Sequence, residues 1–184
     1  MTSRRRPNWL RDAERIDLAV YAAIAATPTP ALDQAMSRLT RAADRSQLWL
    51  AVTALLVAGR GDAGRRAARA GVASIAAASA IVNVGIKPLG RRRRPAAVDI
   101  VPLARQVPMP RSTSFPSGHA ASAFAFATGV GSVLPRDAVA IRALAALVAY
   151  SRVHTGVHYP GDVVAGSLLG SAVAQLTTSL IPSG

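Results

Sequence analysis

Residues 117–134 read SGHAASAFAFATGVGSVL, eighteen positions whose one ionisable side chain is His119. At 1.5 Å per residue such a helix is about 27 Å long, close to the ~30 Å of a bilayer's hydrocarbon core. Its start is marked: Pro116 precedes Ser117, a favoured N-cap residue. Its composition is Ala, Gly and Ser rather than aromatic, which suits backbones that approach closely inside a membrane. A histidine in the first turn of such a segment is a functional residue by default, because an ionisable group in lipid is costly.

Working outward, residues 138–151 are apolar except Arg142, placed to snorkel to an interface, and residues 163–181 are uncharged and of spanning length. Upstream, residues 70–86 carry no formal charge, and residues 46–59 are apolar, with Trp49 predicted at the headgroup level. Residues 59–69 read as a polar, basic turn, and residues 87–114 as a long loop. Residues 16–27 predict a helix too short to span, interrupted by Asp17. Residues 31–45 predict an amphipathic helix lying on the membrane surface. The expected fold is an all-α integral-membrane bundle of about five spanning helices, preceded by an interfacial helix or helical hairpin. Residues 1–45 form the N-terminal segment and residues 46–184 the membrane-embedded core. The expected location is the cell membrane, crossed several times.

Charge and composition narrow the function. Lys and Arg number 22 against 9 Asp and Glu, a net charge of +13. A surplus this large fits nucleic acid, an anionic membrane or an anionic substrate. The arginines cluster at 4–6, 60–69 and 91–94, between apolar runs. That placement favours membrane lipids as partners and argues against nucleic acid. There is no cysteine, which excludes disulfides, thiolate zinc sites and cysteine nucleophiles. Nothing in the sequence addresses oligomeric state.

Three polar clusters interrupt the apolar helices. The first runs from Lys87 to Arg94-Pro95, the second is Pro116-Ser117-Gly118-His119, and the third runs from Ser151-Arg152 through His158 to Asp162. Residues 117–134 cross and residues 138–151 return, so all three clusters belong at one membrane face. Cations beside a helix N-terminus suit a tetrahedral oxyanion. Gly118 lets a ligand approach the backbone N–H groups. Two histidines supply a nucleophile or base and an acid. Asp162, four residues after His158, is placed to accept a hydrogen bond from one ring nitrogen and free the other.

The three clusters, in order and at full spacing, resemble the tripartite signature of the type 2 phosphatidic acid phosphatase family. The likeness covers roughly residues 70–180. It implies a lipid phosphate phosphatase without cofactor or metal. His158 is then the nucleophile that forms a phosphohistidine, Asp162 orients it, and His119 protonates the leaving oxygen and later activates water. Lys87, Arg94, Arg152, Ser117 and the Gly118 N–H are then the phosphate-binding groups. Expected substrates are a polyprenyl phosphate or diphosphate, phosphatidic acid or phosphatidylglycerol phosphate, with a role in cell-wall precursor chemistry. Soluble acid phosphatases and vanadium-dependent haloperoxidases share the resemblance; a non-catalytic polybasic scaffold is the alternative of another class.

Single residues have plainer readings. Arg91, Arg92 and Arg93 read as headgroup anchors. His154, one turn before His158, falls outside the motif and reads as peripheral. Orientation stays open: 16 of the 22 basic residues fall on the motif-bearing face, the cytoplasmic one by the positive-inside rule, whereas the resemblance implies an outward-facing site.

Overall fold

The computed structural model describes residues 7–96 and 101–180. Arg4, Arg5, Arg6 and Ile181 lie outside them. Every regular element among the described residues is helical. Helix α1 is Asn8–Ala26 and α2 is Pro30–Ala42. Helix α3, Gln47–Ala80, continues into a wide π-type turn at Ile81–Ile86 and a short turn at Lys87–Leu89. Helix α4 is Gly118–Gly131, α5 is Asp137–His154 and α6 is Pro160–Ser179.

Helix α3 is two arms. At Gly61 the backbone takes φ 54° and ψ −132°, a conformation that glycine alone adopts readily. Arm 47–60 descends from the His119 end, where Asp44 meets His119, to the opposite end, where Arg60 pairs with Asp137 at 2.5 Å. Arm 62–80 returns, so that Ser79 lies 3.2 Å from Ser122 in α4. The predicted basic turn over residues 59–69 is thus confined to Gly61. Residues 62–69 are helical, because nothing after Asp62 interrupts hydrogen bonding and their side chains favour helix.

Helix α4 is central. Its Ala123, Phe126, Ala127 and Val130 are buried against Trp49, Leu56 and Ala67 of both arms and Ile141, Ala145 and Val148 of α5. Phe126 is completely buried at the meeting of α4 with both arms. Helix α6 packs on the other side of α4. At Gly170 an added Cβ would sit 2.1 Å from the Ala121 carbonyl oxygen, so only hydrogen fits there.

Several expectations need correction. Trp49 is buried by protein rather than facing lipid; its ring lies on Phe126 at a centroid distance of 5.2 Å, tilted by 38°. Helix α1 begins at Asn8, eight residues before the predicted start, since its polar first half holds no helix breaker. Helix α2 does not present a plain apolar face to a membrane. Its buried residues are Asp33, Met36, Ser37 and Thr40, a mostly polar set turned to protein partners in the long loop and α5.

The long loop is tied down by Arg105, whose side chain is fully buried. Its Nε donates to Asp33 at 2.7 Å, Nη1 to the Ile24 carbonyl at 3.0 Å and Nη2 to Thr29 Oγ1 at 3.0 Å, with a further bond to the Thr27 carbonyl. These carbonyls end α1, where a cation opposes the negative end of the helix dipole. Asp33 also meets His154 Nε2 at 3.0 Å.

Candidate active site

Two clusters of the sequence enter the site through helix termini. Ser117 caps α4: its hydroxyl accepts from the Ala120 N–H at 3.4 Å, while its own N–H donates to the Asp162 carbonyl at 2.9 Å. The start of α4 is thereby locked to the start of α6. The hydroxyl of Ser117 is wholly buried in this cap, away from the cavity, so Gly118 and His119 are the members of that cluster that face it. Asp162 stands in the first turn of α6.

A cavity of about 240 Å³ opens between α4, α5 and the two arms of α3. Lys87, Arg94, Gly118, His119, Arg152 and His158 all line it. Arg45 joins them, so four cations and no carboxylate form the wall. A wall of that sign suits a multiply charged anion. Arg152 is 2% exposed; it donates to Thr40 and its Nε has no partner among the described residues. A buried donor left unpaired costs about 1–3 kcal/mol, which an anion oxygen at the cavity would relieve.

His158 is held by both ring nitrogens. Arg94 Nη1 lies 3.0 Å from Nε2. A guanidinium only donates, so Nε2 is the unprotonated nitrogen and Nδ1 carries the proton. Nδ1 lies 3.5 Å from Asp162 Oδ2 and 3.5 Å from Ser114 Oγ. Burial holds the imidazole well below its ordinary value, at about 4; the Asp162 hydrogen bond opposes the shift, and the charges of Arg94 and Arg152 add to it. The ring is therefore neutral over the physiological range, with its Nε2 lone pair turned to Arg94 at the cavity.

Asp162 is fully buried yet satisfied. Ser114 Oγ and the Tyr159 N–H, at 3.0 Å, donate to Oδ2, and Arg92 Nη1 donates to Oδ1 at 2.8 Å. Arg92 is thus no headgroup anchor, whereas Arg91 and Arg93 are exposed as that reading expects. Arg92 and Arg94 hold the two members of one pair: Arg92 Nη1 reaches Asp162 and Arg94 Nη1 reaches His158. His154 is buried outside the cavity on Asp33, in keeping with a peripheral role.

The second histidine has a carboxylate of its own. His119 Nε2 lies 2.8 Å from Asp44 Oδ1. Asp44 precedes Arg45 and Ser46, both in left-handed conformation at φ 51° and 61°, a strain that non-glycine residues hold mostly at functional sites. Sequence reasoning passed over Asp44, Ser114 and Asn83. Asn83 carried a signal, a lone amide in an apolar run, and it sits in the π-type turn on the cavity wall. If His119 is an acid–base group, Asp44→Asn is expected to lower kcat about ten- to hundredfold with KM little changed, by loss of the group that orients it. Steady-state phosphate release measures it. Among the described residues no three His, Cys, Asp or Glu side chains converge as a metal site would.

Comparison with known proteins gives the family. Residues 68–183 match the family model described as the PAP2 superfamily. Decaprenylphosphoryl-5-phosphoribose phosphatase of Mycobacterium tuberculosis is 40% identical over 101 residues, which are 54% of this chain and 53% of that protein. The chain therefore spans about half the length of the curated relatives it matches. The crystal structure of LpxE from Aquifex aeolicus superposes with a TM-score of 0.71 at 24% identity, over 89% of this chain and 95% of that one. The transmembrane PAP2-type phosphatidylglycerolphosphate phosphatase of Bacillus subtilis gives a TM-score of 0.67 at 25% identity, over 94% and 86%.

Proposed function

Because the chain belongs to the PAP2 superfamily, we propose that it is a membrane phosphatase that removes a phosphate from a lipid through a phosphohistidine on His158. The observation that carries this is the state of His158. Its Nε2 lone pair stands at a cavity walled by cations, while Nδ1 is turned to a buried carboxylate. A neutral imidazole so oriented is an activated nucleophile.

The steps follow from the side chains. Lys87, Arg94 and Arg152, with the Gly118 N–H, hold the phosphate oxygens and offset the charge of the transferring group. His158 Nε2 attacks phosphorus; the bond to the lipid oxygen breaks, and His119 gives that oxygen a proton. The imidazolium-like character that develops on His158 is stabilised by Asp162. Water, giving its proton to His119, then attacks the phosphohistidine and releases inorganic phosphate. No step calls for a metal.

A lipid substrate agrees with the surface. Leu55, Val72, Val84, Val139, Leu168 and Leu176 are large, apolar and exposed around the bundle. The continuous helical stretch Asp44–Leu89 is long and apolar enough to cross a membrane. Five crossings, by the two arms, α4, α5 and α6, are part of the proposed reading of a multi-pass membrane protein. Among lipid phosphates a polyprenyl-linked phosphate is the proposed class, in line with the named activity of the mycobacterial relative.

The test is a rapid-quench reaction of the detergent-solubilised protein with radiolabelled polyprenyl phosphate and phosphatidic acid. Label that is acid-labile, base-stable and located on His158 is the expected result, unchanged by EDTA. Turnover without such label would sink the mechanism. The acid limb of kcat/KM is expected near pH 4, because protonation removes the Nε2 lone pair.

A further inference from the structure

We infer that Asp17 and Arg92 form a positioning relay that sets the orientation and field of the Asp162–His158 pair, and that α1 is thereby part of the catalytic apparatus. The inference rests on the phosphohistidine reading above. Asp17 lies outside residues 68–183, the segment matched by the family model.

The geometry is a chain of charge from α1 to the nucleophile. Arg92 Nη1 donates to Asp162 Oδ1 at 2.8 Å and Nη2 donates to Asp17 Oδ2. The guanidinium lies over the Tyr159 ring, 4.4 Å from its centroid. The other oxygen of Asp17 accepts from the Gly161 N–H at 2.7 Å. One carboxylate thus holds two things: the cation behind Asp162, and the helix start that carries Asp162. An anion at that N-terminus is also favoured by the helix dipole. The Asp17 side chain is 10% exposed and that of Arg92 30%, which is not the exposure of a solvated surface pair. A planar, two-pronged donor is what such a bridge needs; a lysine reaches one carboxylate at a time.

The electrostatic consequence has a sign. His158 faces Asp162, Arg94 and Arg152, with Lys87, Arg45 and His119 across the cavity. Arg92 draws on Asp162 from behind, which weakens its hold on the imidazole proton. Asp17 offsets Arg92. Removing the cation therefore favours imidazolium at His158, and removing Asp17 disfavours it.

Arg92→Gln, Arg92→Lys and Asp17→Asn are compared with the native full-length protein in detergent. The probe is polyprenyl phosphate, with histidine titration followed by carbon-13 NMR and folding by circular dichroism. Expected are kcat reduced about tenfold or more, KM within about twofold, and opposite displacements of the acid limb. Arg92→Gln moves it up by about half a pH unit or more, and Asp17→Asn moves it down. Arg92→Lys keeps the limb near its native position while kcat stays low. Native kcat and an unmoved limb in Arg92→Gln and Asp17→Asn would overturn the relay, as would displacement of both in one direction. His158→Ala, run alongside, separates the two levels. If it is inactive while the relay variants behave as native, the relay alone fails; if it retains turnover, the phosphohistidine reading fails and takes the relay with it.

Discussion

His158→Ala is expected to lower phosphate release by about 10⁴-fold or more, to the level left by substrate binding alone. His158 is the cavity histidine backed by a buried carboxylate; the Asp44 side chain behind His119 is 53% exposed. His119 is engaged at Nε2 by Asp44, and His154 is buried on Asp33 with Tyr150 Oη 3.4 Å from its Nδ1. The fold should tolerate the change. Asp162 keeps Ser114, Arg92 and the Tyr159 N–H, so no buried charge is orphaned. His154→Ala is the informative contrast, since a histidine lost four residues away leaves the chemistry in place. The measurement is kcat/KM for lipid phosphate with thermal unfolding as control. Activity within tenfold of native in His158→Ala would remove the nucleophile from the mechanism.

Arg105→Ala is expected to be the most destabilising single change outside the cavity, by about 3–5 kcal/mol. Its guanidinium serves Asp33 and the carbonyls of Ile24 and Thr27, and all of these are left facing an unsolvated void. Asp33, 5% exposed, then keeps a buried charge with Thr29 and His154 as its remaining partners. In a chain of this size that loss corresponds to a Tm lowered on the order of 10 °C. The effect should reach the active site as well. The corner held by Arg105 joins α1 to α2, and α2 supplies Thr40 to Arg152 and leads into Asp44. Thermal unfolding in detergent, with a double-mutant cycle against Asp33→Asn, measures both the size and the coupling. A Tm within about 2 °C of native would show that the corner is held by other contacts.

The groups proposed to carry the chemistry were legible as a spaced family signature. His119, His158, Asp162, Lys87, Arg94 and Arg152 stand at short, fixed distances along the chain beside breaks in apolar helices. A helix that crosses and one that returns bring such breaks together wherever the bundle packs. Alternation of apolar and polar runs likewise revealed both arms of α3, because hydropathy is a local property.

What supports those groups was decided only by tertiary structure. Asp17 and Arg92 are 75 residues apart, Asp44 and His119 also 75, and Asp33 and Arg105 72. In sequence none of these has its partner nearby, and a charge near a membrane without one is most simply a solvated or headgroup-facing residue. Only packing of α1 and α2 onto the loop and the ends of α4, α5 and α6 excludes water from Asp33 and Arg105 and shields most of Asp17. Once water is gone, each must find a partner of opposite sign or cost several kcal/mol. The order of apolar segments along the chain determined the bundle and its reactive face. Desolvation in three dimensions determined which carboxylate stands behind which cation and which histidine.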